Sequence, residues 1–211
     1  ELDFTYYTMP SARTMASLDR KTPDRFYFCI KAHKSMTHEV DPKTVDEAFR
    51  QFLKGIAPII ETKKLGCILL QFPWGFKYTP ENLDYIRRLP ELLPDLPVVV
   101  EFRHKSWLKE IVFATLQMVG LGFCAVDEPK LQGLMPPVAH VTSRISYVRF
   151  HGRNAEKWWK HDQPWERYNY LYSEAEFKEW LPRIPGSNGV IGEHRRIIDT
   201  CRNYNLSGLL D

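Results

Sequence analysis

Six short runs dense in β-branched, aromatic and aliphatic residues recur along the chain, at 2–7, 26–32, 65–72, 98–103, 122–127 and 145–151. Each reads as a strand, and the stretches between them carry helical spacing instead. From 44 to 63, Val45, Ala48, Phe49, Phe52, Leu53, Ile56 and Ile60 fall on one helical stripe behind a predicted Thr44-x-x-Glu47 capping box. Thr79-Pro80-Glu81 has the order of an N-cap followed by a first-turn proline. Ser106 is expected to cap a third helix, and Ser173-x-x-Glu176 a late one. Strands this apolar, alternating with helices, predict an α/β fold with a parallel sheet covered by helices.

Six strands at this spacing fit either an open doubly wound sheet or a (β/α)₈ barrel lacking an end. No GxGxxG or GxxxxGK[ST] loop follows any strand, which weakens the nucleotide-binding open sheet and leaves a TIM-type barrel as the expected fold. There is no internal repeat and no sign of a second domain, so residues 1–211 read as one domain. The stretch 154–169, with three tryptophans, is a long connection of the kind barrels place over the active face. The chain opens on a strand-like run without an initiator methionine, so a first strand and helix are expected to be missing.

The ends of the strands carry the functional signal. Val98-Val99-Val100 is uniformly apolar, and Glu101, Arg103 and His104 follow at once. Side chains alternate faces along a strand, so Glu101 and Arg103 share one face while Val100 and Phe102 take the other. The same alternation sets Lys31 with Cys29, Gln71 with Leu69, Asp127 with Ala125, and Arg149 and His151 with Tyr147. Burying unpaired charge is costly, so strands ending this way point to a polar cavity at the C-terminal end of a barrel. The competing reading is a structural network of salt bridges.

Residue type assigns the candidate roles. Arg103 and Arg149 can hold a carboxylate or phosphate through paired N–H groups. Glu101 or Asp127 suits a general acid or base, Lys31 an electrophile, an anion clamp or a Schiff-base amine, and His38 a base or a metal ligand. His151, Gln71, Tyr7, His104 and Arg153 are the further candidate ligand contacts. A metal set drawn from His33, His38, His104, His151, Glu101 and Asp127 is conceivable, but no HxH or HExxH spacing supports it, and no metal or cofactor is expected. The aromatic group Trp158, Trp159, Trp165, Tyr168, Tyr170 and Tyr172 either packs the long loop or forms a stacking surface for a base or sugar.

Composition adds limits. The formal charge of +3 is spread in pairs such as Lys63-Lys64 and Arg195-Arg196, which gives no clustered support for a nucleic-acid partner. The four cysteines lie far apart, three of them in predicted strands, and read as reduced core thiols of a cytoplasmic protein. No apolar run reaches the length of a membrane span and no signal peptide is visible, so no membrane partner is expected.

Taken together, Glu1-Leu2-Asp3-Phe4-Thr5-Tyr6-Tyr7, Phe28-Cys29-Ile30-Lys31-Ala32 with Thr37-His38, Leu70-Gln71-Phe72-Pro73, Glu101-Phe102-Arg103-His104-Lys105-Ser106-Trp107 and Arg149-Phe150-His151-Gly152-Arg153 resemble the successive motifs of the YecE-like family, domain of unknown function 72. The resemblance runs from residue 1 to about residue 184. It implies a TIM-type barrel in which residues 1–7 form the second strand, and it supplies no reaction. An Asn-Asn-containing strand usual near the C-terminus is missing, and 186–211 reads as a linker and then a helix from about Glu193. Three functions remain open. The first is an enzyme of hydrolase or lyase type acting on a small anionic or phosphorylated ligand. The others are a metal-assisted phosphodiesterase acting on nucleic acid and a non-catalytic ligand-binding module.

Overall fold

The computed structural model describes residues 1–183 and the strand 195–200. In chain order its elements are α1 (Phe4–Tyr7), α2 (Ala12–Arg20), β1 (Phe28–Lys31), α3 (Val45–Glu61), β2 (Leu65–Gln71), α4 (Pro80–Leu92), β3 (Val98–Glu101), α5 (Glu110–Met118), β4 (Gly122–Asp127), β5 (Ile145–Phe150), α6 (Glu174–Lys178) and β6 (Arg195–Thr200). The six strands form one sheet in sequence order, and every neighbouring pair is parallel. Parallel neighbours require a crossover, which α3, α4 and α5 supply for the first three steps. The step from β4 to β5 is a loop without a helix.

The sheet is curled. Leu2 pairs with Ile30 on the free side of β1, so Glu1 stands five strand spacings from β5, roughly 24 Å across a flat sheet. Arg149 of β5 nevertheless hydrogen-bonds Glu1 at 2.6 Å, so the strands wrap into a half-barrel that brings β5 round toward the Leu2 edge. Inside it lie Cys67, Leu69, Val99, Cys124 and Tyr147, all buried. Outside, α3 seats Val45, Ala48, Phe49, Phe52, Ile56 and Ile59 against the sheet. An aromatic stack holds the loops that leave β2 and β3. Phe102 lies on Trp107 at 4.1 Å, Trp107 on Phe76 at 5.3 Å, and the Trp107 indole N–H donates to the Phe76 carbonyl at 2.6 Å.

Several expectations change. Residues 2–7 are not a strand: only Leu2 pairs, and the chain then turns into α1. The Thr5 hydroxyl is the reason, since it is fully buried and bonds the Leu2 and Lys31 carbonyls at 2.9 and 2.6 Å. Thr44 stands at the start of α3 but makes no capping hydrogen bond with its side chain, its backbone at ψ −11° lacking the extended conformation of the caps that form, and the Glu47 side chain is engaged by Arg50 and Gln51 instead. Ser106 caps no helix; it sits in a 3₁₀ turn whose N-cap is His104. The caps of Thr79 and of Ser173 with Glu176 form as expected. The region expected to be helical from Glu193 contains β6 instead, paired along its whole length with β5. Cys29, Cys67 and Cys124 are buried thiols in no disulfide among the described residues, and Cys201 lies outside the described residues. No helix among the described residues is long and apolar enough to cross a membrane.

One glycine is dictated by packing. A Cβ on Gly55 of α3 would stand 2.1 Å from the Pro10 carbonyl oxygen, just ahead of α2, and backbone cannot yield there cheaply. Gly55→Ala is therefore expected to destabilise the fold by about 1–3 kcal/mol despite the better helix propensity of alanine, as read by urea denaturation.

Candidate functional site

At the C-terminal end of the half-barrel, one carboxylate collects donors from two strands. Glu101, the last residue of β3, is fully buried. It accepts from Arg103 at 2.9 Å, from Arg149 of β5 at 2.8 Å and from the His151 Nε2 at 3.1 Å. Burial alone would raise its pKa, but Arg149 and then the other donors outweigh that and hold the carboxyl well below the usual range. Both arginines are shared. Arg149 also bonds Glu1 at 2.6 Å and lies 3.9 Å from Asp3, while Tyr147 donates to Glu1. Arg103 reaches Glu128 at 3.0 Å, and its guanidinium lies 5.5 Å from the centre of the buried Trp158 ring.

Glu128 is the odd member. It is buried, and its Oε1 accepts from the Met135 backbone N–H at 3.0 Å. Its Oε2 meets Arg103 as an ion pair without the alignment of a hydrogen bond. Burial pushes this carboxyl up to about 7; Arg103 opposes the shift and the nearby Glu101 charge adds to it. His151 moves the other way. Burial and then Arg103 push it down to about 3, so the ring is neutral at pH 7. The neutral ring donates from Nε2 to the Glu101 carboxylate. The site thus holds a carboxyl that changes charge near neutrality beside arginines fixed in their charged form.

The family model described as protein of unknown function DUF72 matches residues 1–203. The chain belongs to the DUF72 family. The UPF0759 protein YunF of Bacillus subtilis (strain 168) is 32% identical over 198 residues, covering 87% of this chain and 70% of that protein. The crystal structure of a DUF72 family protein from Thermotoga maritima MSB8 is similar with a TM-score of 0.79 at 38% identity, covering 93% of this chain and 74% of that one. A DUF72 family protein from Enterococcus faecalis V583 gives a TM-score of 0.82 at 27% identity, covering 94% and 75%. The DUF72 match runs past residue 184, where the motif resemblance stopped, and takes in β6.

Within this DUF72 chain the expected site residues separate into groups. Glu101, Arg103, Arg149 and His151 converge. Lys31 joins from β1 through Asp3 at 3.3 Å, with its ammonium 4.9 Å from the centre of the Tyr6 ring. His38 packs edge-on against the same ring, and burial with the nearby Lys31 charge pushes it down to about 4. Gln71 is level with Glu101 in the sheet and donates to the Phe72 carbonyl. Tyr7 is exposed and packs on Tyr6, and His104 packs against Trp74. Asp127 points out of the half-barrel, where Arg153 clamps it with two 2.7 Å bonds and Tyr172 and Trp180 each donate at 2.7 Å. Asp127 and Arg153 thus fasten the late segment to the outer face of β4. The inward side chain at the end of β4 is Glu128, one residue further on.

Glu128, Glu1 and Asp3 were absent from the expected set. A signal for Glu128 existed: Cys29 and Cys67 share an inward register, and counting in twos from the equally inward Cys124 passes Val126 and reaches Glu128, not Asp127. Among the described residues, no three His, Cys, Asp or Glu side chains converge as a metal ion would need.

The depressed His151 fixes a sign for acid stability. Its folded pKa lies below the unfolded value near 6.5, so it stabilises the fold fully above pH 6.5 and loses that contribution as pH falls toward 3. Between pH 6.5 and 5 the wild type should lose about 2 kcal/mol more stability than His151→Gln, by denaturant titration at both pH values.

Proposed function

We propose that this DUF72 protein is an enzyme of hydrolase or lyase type. In this reading its site, at the C-terminal ends of the strands, takes up a small anion together with a proton. The curled sheet is read as part of a TIM-type (β/α)₈ barrel formed by a single domain, and such barrels place their chemistry at this end. The observation that carries the reading is the contact between Glu128 and Arg103. Both arginines are already compensated, Arg103 by Glu101 and Glu128, and Arg149 by Glu101 and Glu1 with Asp3 at 3.9 Å. With both compensated, an incoming anion gains little. Once Glu128 is protonated, Arg103 is left with one counter-charge, and an anion can take the position facing it. The proton on Glu128 then stands beside the bound ligand, where it serves as a general acid. Lys31 supplies a further cation on the same side.

The charge balance favours a monoanion such as a carboxylate over a phosphate monoester, which is mostly a dianion at neutral pH. Asp127 has no part in this chemistry because four donors occupy it outside the half-barrel.

Calorimetric titration with acetate, a monoanion throughout this range, in buffers of different ionisation enthalpy tests the coupling. At pH 8 binding should take up close to one proton, and at pH 6 much less. Glu128→Gln, neutral at every pH, should bind acetate about tenfold tighter than wild type at pH 8 and about equally at pH 6. Binding without proton uptake at pH 8, or a Glu128→Gln variant with unchanged affinity there, rejects the reading.

A further inference from the structure

A second cleft, of about 510 Å³, opens on the same end of the sheet beside the charged cluster. Its lining residues are Trp74, His104, Lys105, Gln132, Gly133 and Trp159, contributed by the segments that follow β2, β3, β4 and β5. Two indoles stand in the open. Trp74 is 38% exposed and Trp159 52% exposed, and their rings meet edge to face at 5.5 Å and 72°. Adjacent exposed tryptophans forgo much of the gain of burial, and such patches mark ligand surfaces.

The walls are held in place. Gly133 adopts φ +87°, and a Cβ there would lie 3.2 Å from the Trp74 ring and 3.4 Å from the His104 Nε2. Its carbonyl accepts from the Lys105 N–H at 3.0 Å, and His104 pairs with Leu134. Ser106 engages the His104 Nδ1 at 2.9 Å, which leaves Nε2 on the cleft side. Burial, with Lys77 and Lys105 nearby, pushes His104 down, so it stays uncharged at neutral pH. The charge around the notch is cationic. The Lys77 ammonium lies 4.9 Å from the centre of a Trp74 ring, Lys105 lines the cleft, and among the described residues no carboxylate does. A neighbouring cleft of about 380 Å³ shares Lys105, Gln132 and Gly133 and continues to Lys130 and Glu128.

From this geometry we propose that the tryptophan cleft binds a nucleobase carrying a phosphate. The base lies flat on one indole with its edge toward the other, and the phosphate meets Lys105 and Lys77. Stacking on an aromatic ring needs only a planar face, which every base has. An uncharged sugar would also stack on tryptophan, but it has no use for a lysine rim without a carboxylate. The site does not depend on the acid–base reading of Glu128. The base can arrive as a free nucleotide or within a single strand, which would continue along the shared wall into the neighbouring cleft.

Fluorescence and calorimetric titrations with AMP, adenosine, ribose 5-phosphate and single-stranded octadeoxyadenylate test the proposal. AMP or the oligonucleotide should bind saturably and quench tryptophan emission, and ribose 5-phosphate should bind at least tenfold more weakly than AMP. Trp159→Ala should weaken the base-bearing ligands by about tenfold or more and leave ribose 5-phosphate unchanged, while Trp159→Phe retains most of the affinity. Lys105→Ala, at an exposed position, should weaken AMP but not adenosine. Oligonucleotide affinity well above that of AMP and falling steeply with salt identifies the single strand as the source, and equal affinities identify the free nucleotide. No saturable binding of AMP or oligonucleotide up to about 1 mM, or equal binding by Trp159→Ala with its circular dichroism intact, overturns the proposal.

Discussion

The burial of the Glu101 carboxylate is the constraint from which the rest of the site follows. A carboxylate with no exposure stays charged only if donors surround it, and here β3 and β5 each send an arginine while His151 adds a third group. Each buried arginine then needs a second counter-charge of its own. Arg149 finds Glu1 on the far edge of the sheet, and Arg103 finds Glu128. The first pairing draws β5 toward the opposite edge of the sheet. The second places a carboxyl where burial outweighs its partner, so that its charge becomes conditional near neutral pH.

Such a network is weak evidence for stability, because the desolvation of buried ions offsets most of their attraction. Its value lies in what it holds ready. His151 is kept neutral, Glu101 is kept charged, and Glu128 sits between the two states within one shell of contacts. Groups in one environment with pKa values driven apart are the usual basis for assigning acid and base roles. On the other side of the sheet, Asp127 has the complementary fate: four donors fix it, and through Arg153 it reaches Glu176 and Glu179 and ties down α6 and its flanks.

Much of this was legible from alternation alone. Polar residues of one parity at the ends of β1, β3 and β5 placed Lys31, Glu101, Arg103, Arg149 and His151 together, because a parallel strand buried on both faces leaves charge few positions. The rule failed at β4, where the polar residue inside the strand faces out. Period-two reading needs an anchor for which face is inner, and Asp127 was the wrong anchor where Cys124 was the right one. The first residues failed for another reason. Leu2 to Tyr7 has strand-like composition, yet the buried Thr5 hydroxyl shares its proton between the Leu2 and Lys31 carbonyls and holds the turn into α1, a tertiary effect that local propensity does not contain. β6 was missed because its short apolar core, Ile197-Ile198, is flanked by charges that read as a solvated helix. The tryptophan cleft was half legible: Trp159 belonged to an aromatic group weighed as a stacking surface, but its partner Trp74 lies some eighty residues away, where no local pattern joins them.

The central claim is that Glu128 carries a proton near neutral pH while Arg103 stands charged beside it. Carbon-13 NMR of side-chain-labelled glutamate, with Glu128→Gln to assign the resonance, reads that titration directly. The account predicts a Glu128 carboxyl titrating at about 7. A Glu128 that titrates at or below the ordinary glutamate value, as a simple partner of Arg103, would contradict it.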